Sequence, residues 1–128
     1  MEYALPKGSR PRRLAITSDD AIYYTDYARG KVGRLLPENG KIEEWSSPGG
    51  PKSKPYGITS TPNDIVWYSE SGVDPNTMVR FDPKTKTFAS WPIPSGGGVI
   101  RNMVSTPKGD IFIACSGKNK IGIVKIKQ

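Results

Sequence analysis

Three positions one repeat apart carry side chains able to grip an anion: Arg12, Tyr56 and Arg101. Each is followed fourteen residues later by a second polar or reactive group, Asp26, Glu70 and Cys115 in turn. Arginine presents a planar fork of donors that matches a carboxylate or phosphate in two parallel hydrogen bonds. Asn102 adjoins Arg101 and is taken with it as a ligand-binding candidate. The chain has no histidine, which removes the commonest general base near neutral pH and the commonest transition-metal ligand. Cys115 is the one cysteine; with no base beside it, it reads as a small buried hydrophobe. Structural roles stand beside the functional ones. Arg12 with Asp26 could simply hold a hairpin, Tyr56 could pack on a neighbouring sheet, and Glu70 could accept backbone bonds in the Ser71-Gly72 turn. Asp64, Asp82 and Asp110 sit where side-chain-capped turns explain them.

The elements that must hold these residues are short strands. From Lys54 to Pro94 four apolar runs rich in Ile, Val, Trp, Tyr and Phe are separated by turn residues such as Pro62-Asn63-Asp64 and Asp82-Pro83-Lys84. Such a unit reads as a four-stranded antiparallel meander. It recurs on both sides: Pro11 to Asp26 matches Pro55 to Glu70 without a gap, and Met103 to Cys115 repeats its first two strands. A period near 45 residues with four strands per period is that of a β-propeller blade. The expected fold is therefore all-β, with about three blades. Residues 1–9 form an orphan outer strand, because Tyr3 and Pro6 align with Trp45 and Pro48 and with Trp91 and Pro94. Blade 1 spans 10–49, blade 2 spans 50–97, and blade 3 spans 98–128 without an outer strand. Turns centred on Asp19, Asn63 and Lys108 place Arg12 opposite Asp26, Tyr56 opposite Glu70 and Arg101 opposite Cys115. All three pairs then crowd one rim of the central channel.

Glycine and proline, 14 and 12 residues, suit a chain of tight turns. No window is long and apolar enough for a membrane span, and no signal peptide is visible at the N-terminus. The expected compartment is accordingly the cytoplasm, and the expected source bacterial. The net charge of +7 is spread along the chain with no run of five basic residues. Neither nucleic acid nor membrane is an expected partner.

Pro55-Tyr56-Gly57-Ile58-Thr59, Val66-Trp67-Tyr68-Ser69-Glu70 and Thr87-Phe88-Ala89-Ser90-Trp91-Pro92-Ile93-Pro94 together resemble the streptogramin B (virginiamycin B) lyase family of propellers. The resemblance covers nearly the whole chain. It implies relatives that close seven blades in one chain, and a lyase that opens a cyclic depsipeptide at its ester by elimination. There Mg²⁺ polarises the substrate and a histidine-based site takes the Cα proton. The family motif pairs Pro-His-Gly-Ile with a glutamate fourteen residues on. Here Arg12, Tyr56 and Arg101 hold the histidine positions, and Asp26, Glu70 and Cys115 the glutamate position. One expectation is a binding or scaffold propeller that holds an anionic small molecule or peptide at a basic rim of Arg12, Arg101 and Arg13. The other is a divergent Mg²⁺-dependent C–O lyase, with Glu70 as base, Asp26 helping to hold the metal and Arg101 stabilising the developing charge. The missing histidines favour binding. A third expectation is a piece of a longer propeller with no role by itself.

Three blades cannot close a ring at native packing density. An open arc is expected to expose Leu14, Ile22, Ile111 and Ile113 at its ends and an unpaired strand in its last blade. A homodimer would remove both problems, the Met1–Pro6 strand of each copy completing the last blade of the other to give a six-bladed ring.

Overall fold

The structure, a computed structural model, describes residues 1–126; positions 127 and 128, expected in the third blade, lie outside the described residues. Among the described residues three antiparallel sheets follow one another along the chain. The first holds β1 (Pro11–Ile16), β2 (Ile22–Asp26), β3 (Lys31–Leu36) and β4 (Lys41–Ser46) in that order. The second holds β5 (Pro55–Ser60), β6 (Val66–Glu70), β7 (Thr77–Asp82) and β8 (Thr87–Pro92). The third holds β9 (Met103–Ser105), β10 (Ile111–Cys115) and β11 (Lys120–Val124), with β11 as an edge. These are the three blades read from the repeat. No helix among the described residues is long and apolar enough to cross a membrane.

Strands alternate their side chains between two faces, and the two cores show which face meets which. Ala15, Tyr23 and Val32 of blade 1 pack on Ile58, Val66, Tyr68, Val79 and Phe81 of blade 2, all buried. Phe81 lies at the centre of that contact, its ring 4.8 Å from Trp45 and 4.7 Å from Phe88. Burying a side chain of this size contributes about 1.5–3 kcal/mol, so this contact is a main source of cohesion between the sheets. The opposite face of blade 2, with Trp67, Met78 and Ile93, meets Met103, Ile111, Ile113 and Cys115 of blade 3. The ends of the arc need a correction. Leu14 is exposed as expected and Ile22 partly so, but Ile111 and Ile113 are buried against blade 2. The face of blade 3 turned away from blade 2 carries Val104, Phe112, Ile121 and Ile123 instead, all exposed.

The inner strands β1, β5 and β9 stand side by side and are laced by hydroxyl groups that recur with the repeat. Ser60 Oγ donates to the Ile16 carbonyl at 2.8 Å, and one blade on Ser105 Oγ donates to the Ser60 carbonyl at 2.6 Å. Near the other end Thr25 Oγ1 donates to the Tyr56 carbonyl at 2.6 Å, and Ser69 Oγ to the Ile100 carbonyl at 2.9 Å. These bonds satisfy carbonyls in the inner strands, or just before β9 in the case of Ile100, that have no further strand in their own sheet.

Met1–Pro6, read as an outer strand, forms no strand within this chain. It lies against blade 1: Tyr3 Oη donates to the Pro37 carbonyl at 2.7 Å, and Ser9 Oγ accepts from Arg29 at 2.9 Å. Its exit turn is closed by Ser9 N–H to the Pro6 carbonyl, one residue later in the repeat than the turns from Gly50 to Ser47 and from Gly96 to Ile93. The segment thus occupies the place of the outer strand of a blade preceding blade 1.

Candidate ligand-binding rim

The register of the inner hairpins departs from the expected one. Ile16, Ala15 and Leu14 face Ile22, Tyr23 and Tyr24 about the Asp19 turn, but Asp26 then faces Pro11 rather than Arg12. Blade 2 repeats the shift: Ile58 faces Tyr68, yet Glu70 faces Pro55 rather than Tyr56. In blade 3, β9 starts only at Met103, so Arg101 and Asn102 precede the paired strand and Arg101 has no strand partner in Cys115. A β-bulge explains the first two cases. One extra residue on the inner strand kinks it and re-aims a side chain. The bulge is fastened by the backbone N–H of Arg13 or Gly57, which donates to the hydroxyl of Thr25 at 3.4 Å or Ser69 at 3.1 Å.

Released from the ladder, the bulge residues converge at one end of the inner strands. The guanidinium of Arg12 lies 4.4 Å from the centre of the Tyr27 ring and 5.8 Å from that of Tyr56. Arg13 and Arg101 stand 5.5 and 6.0 Å from the Tyr56 ring, and Lys54 Nζ 5.7 Å from that of Tyr27. The two tyrosine rings meet edge to face at 5.7 Å. Arg13 Nε donates to the Arg101 carbonyl at 3.1 Å and Arg101 donates to Ser116 Oγ at 3.2 Å, which ties blade 1 to blade 3 across blade 2. A cation over an aromatic face gains about 0.5–1 kcal/mol at an exposed site, less than full neutralisation would give. Among the described residues the ion pairs use Arg29, Arg34 and Lys86. None of the four rim cations is paired with a carboxylate there. Four mutually repelling charges on two tyrosines form a positive, partly aromatic surface suited to an anion.

Arg12, Tyr56 and Arg101 are thus brought together, with exposed Asn102 beside them. Asp26 and Glu70 are not. Asp26 is fully buried; its Oδ1 accepts from the backbone N–H groups of Arg10, Ala28 and Arg29 at 3.0–3.2 Å, and its Oδ2 faces Arg29 Nε at 3.5 Å. Glu70, 2 % exposed, accepts from Ser47 Oγ at 2.5 Å, Gly49 N–H at 2.6 Å and Thr77 Oγ1 at 2.7 Å. Glu70 closes the exit turn of blade 1, whereas Asp26 holds its own β2–β3 turn and the start of β1 at Arg10. Mg²⁺ does not fit here: both acids are held by protein donors in separate blades, and among the described residues no three acidic, cysteine or histidine side chains gather as a metal site. Sequence reasoning missed Tyr27 and Lys54. The signal for both was adjacency, since Tyr27 follows Asp26 and Lys54 precedes the Pro55 bulge.

The model of the virginiamycin B lyase family matches residues 1–128. Among solved structures, virginiamycin B lyase from Staphylococcus aureus is 28 % identical with a TM-score of 0.87, covering 98 % of this chain and 42 % of its own. A catalytically inactive histidine-to-alanine form of virginiamycin B lyase from Staphylococcus aureus, with quinupristin, gives 28 % identity and a TM-score of 0.85 over 98 % and 41 % of the two chains. A streptogramin B lyase gives 25 % and 0.78 over 100 % and 45 %. Comparison with curated proteins gives no match. The chain spans less than half the length of the solved structures it matches. The family model spans the whole chain and the structural matches cover nearly all of it, so the chain belongs to the virginiamycin B lyase family.

Proposed function

We propose that this chain is a binding module that holds an anionic small molecule or peptide carboxylate at the rim formed by Arg12, Arg13, Lys54, Arg101, Tyr27 and Tyr56. The observation that carries the reading is the gathering of four cations around two tyrosines with no carboxylate paired to them among the described residues. Arg12 and Arg101 offer paired N–H donors, and the tyrosine faces offer a flat surface for a planar group. Asn102 adds an amide at the edge. Titration calorimetry with phosphate, citrate and an aromatic carboxylate tests this. Hydrogen bonds to a charged partner are worth about 1.5–3 kcal/mol each, so Arg12→Ala with Arg101→Ala should weaken binding roughly 100-fold or more. Added salt should weaken it too. Equal binding by the native and double-substituted chains overturns the reading.

The second reading is a divergent lyase on a cyclic depsipeptide-type ester. It is favoured by family membership and by the similarity to virginiamycin B lyase and streptogramin B lyase. Against it, the inactive relative with quinupristin lacks one histidine, and this chain has none at all. Glu70, the candidate base, is enclosed by three donors. Incubation with quinupristin, with and without EDTA, separates the two: an intact ring supports binding alone, and a ring opened only without EDTA supports the lyase.

A further inference from the structure

We propose that the cleft between the inner turns of blades 2 and 3 is a second anion site, suited to a small phosphate monoester whose phosphoryl group is held by Arg80 and Lys108. The cleft measures about 480 Å³, within the range of small-molecule sites. It opens at the turn that follows β5, whereas the rim lies where β5 begins. The two sites are therefore a strand of six residues, roughly 20 Å, apart. The lining joins Asn63, Trp67 and Arg80 of blade 2 to Pro107, Lys108 and Gly109 of blade 3.

The repeat supplies an internal comparison, because the same place between blades 1 and 2 is bridged and rich in acids. There Arg34 pairs with Glu43 at 3.3 Å, and Lys86 reaches the same carboxylate at 3.3 Å. Asp64 of blade 2 accepts from the backbone N–H of Ser18 at 2.8 Å and from its hydroxyl, which clamps one inner turn to the next. Asp19 stands in the blade 1 turn, its Oδ1 taking the Thr17 hydroxyl. One blade on, the arginine is kept and all three acids are replaced. Arg80 stands for Arg34 but faces Ala89, where Arg34 faces Glu43. Asn63 stands for Asp19, and Gly109 for Asp64. Pro62 stands for Ser18 and has no N–H to give. Neither half of the clamp survives, and Lys108 adds a charge where blade 2 has Asn63. All the exchanged positions lie within blades 2 and 3, away from both termini.

What remains is a wall of donors. Among the described residues neither Arg80 nor Lys108 takes part in an ion pair. The neighbouring acids are engaged elsewhere, Asp64 with Ser18 and Asp110 with the backbone N–H of Ile126 at 3.2 Å. Asn63 Oδ1 accepts from the Thr61 hydroxyl, which leaves its amide N–H groups free to donate. Trp67 replaces Tyr23, a donor-only indole for a hydroxyl. A ligand offering acceptors alone suits such a wall. A phosphoryl group does so with three oxygens and up to about two negative charges near neutral pH. Arginine meets it with two parallel N–H groups and lysine as a point charge. Ile65, Trp67 and Pro107 give the organic part an apolar seat.

Phenyl phosphate is the probe, titrated calorimetrically into the chain carrying Arg12→Ala and Arg101→Ala, whose rim is disabled. That chain should bind one equivalent, and inorganic phosphate should bind it more weakly. Adding Arg80→Gln with Lys108→Gln should weaken binding of phenyl phosphate roughly 100-fold. Should the fourfold variant not fold, a second one removes no donor. Ala89→Glu, at an exposed position of β8, gives Arg80 the partner that Arg34 has and should weaken binding about tenfold. No binding of phenyl phosphate to the rim-disabled chain overturns the inference and leaves the rim reading as it was. Binding that neither the glutamine pair nor Ala89→Glu weakens overturns it as well.

Discussion

Asp26 and Glu70 stand at equivalent positions and do the same work with different reach. The shorter Asp26 takes backbone donors from its own β2–β3 turn and from Arg10, whereas the longer Glu70 reaches back to Ser47 and Gly49 of blade 1. Glu70 also anchors a relay, because Ser47 Oγ lies 2.8 Å from the phenol of buried Tyr68. Removing the carboxylate takes the acceptor from the buried Ser47 hydroxyl, the Gly49 N–H and Thr77 Oγ1 together. Buried groups left unpaired cost about 1–3 kcal/mol each. Glu70→Ala is therefore expected to lower unfolding free energy by about 2–4 kcal/mol in denaturant titration, while leaving anion binding at the rim nearly unchanged. A loss under ~1 kcal/mol would show that the turn closes without it. Blade 3 has diverged at this scale. Ala114 replaces the Thr25 and Ser69 hydroxyls, and Lys108 replaces the Asp19 and Asn63 acceptors, which leaves Thr106 Oγ1 buried without a hydrogen-bond partner.

Among the strands, β2 and β3 show how a small residue sets a sheet's shape. The ring of Tyr24 lies against Gly33 across the ladder, so close that a Cβ at Gly33 would come within 2.0 Å of it. The phenol reaches Glu44 at 3.0 Å, and Glu44 in turn pairs with Arg29 at 2.6 Å. Gly33→Ala must push the ring off its seat and break that chain of contacts. Overpacking of this kind costs typically about 1–3 kcal/mol. The expected result is a loss in that range by thermal or denaturant unfolding, with Tyr24→Leu in the same background recovering part of it. No recovery would mean that the clash is not with Tyr24. The bulges of β1 and β5 belong to this scale as well. They shift the register by one at Arg12 and Tyr56 and so turn two potential ladder residues into rim residues.

Across the whole molecule three phenols are buried, Tyr23 and Tyr68 in the contact between blades 1 and 2 and Tyr24 against Gly33 and Glu44 within blade 1, all at most 2 % exposed. Burial away from water disfavours the phenolate and pushes Tyr23 up to about 12, from an ordinary value of 10.0. Burial pushes Tyr24 and Tyr68 higher still, and Glu44 accepting from Tyr24 adds to the rise. A group whose folded pKa lies above its unfolded value contributes stability that is complete below the unfolded pKa and is lost as pH rises past it. Stability should thus be flat in this respect up to pH about 10 and fall between there and about 12. Tyrosinate absorbance of these residues should appear together with unfolding. Tyr23→Phe should flatten the fall, and phenolate formation in a fully folded chain would count against the account.

Much of this was legible in the residues alone, because it depends on patterns within one strand and the next turn. The period near 45, the strand positions, the inner-to-outer order and the recurrence of Arg12, Tyr56 and Arg101 at one rim all follow from local alternation and turn chemistry. The missing histidines were visible in the same way. Tertiary structure alone decided the register and the fate of the acids. A bulge is one residue of extra length on one strand, which no periodicity marks, and it separated Arg12 from Asp26 and Tyr56 from Glu70. Two of the three donors that hold Glu70, Ser47 and Gly49, lie more than 20 residues back, in the exit turn of the previous blade. Only the stacking of one sheet on the next brings them within hydrogen-bond reach. The same stacking buries Ile111 and Ile113 and leaves Ile121 and Ile123 bare, because alternation along a strand names two faces but not which of them meets a neighbour.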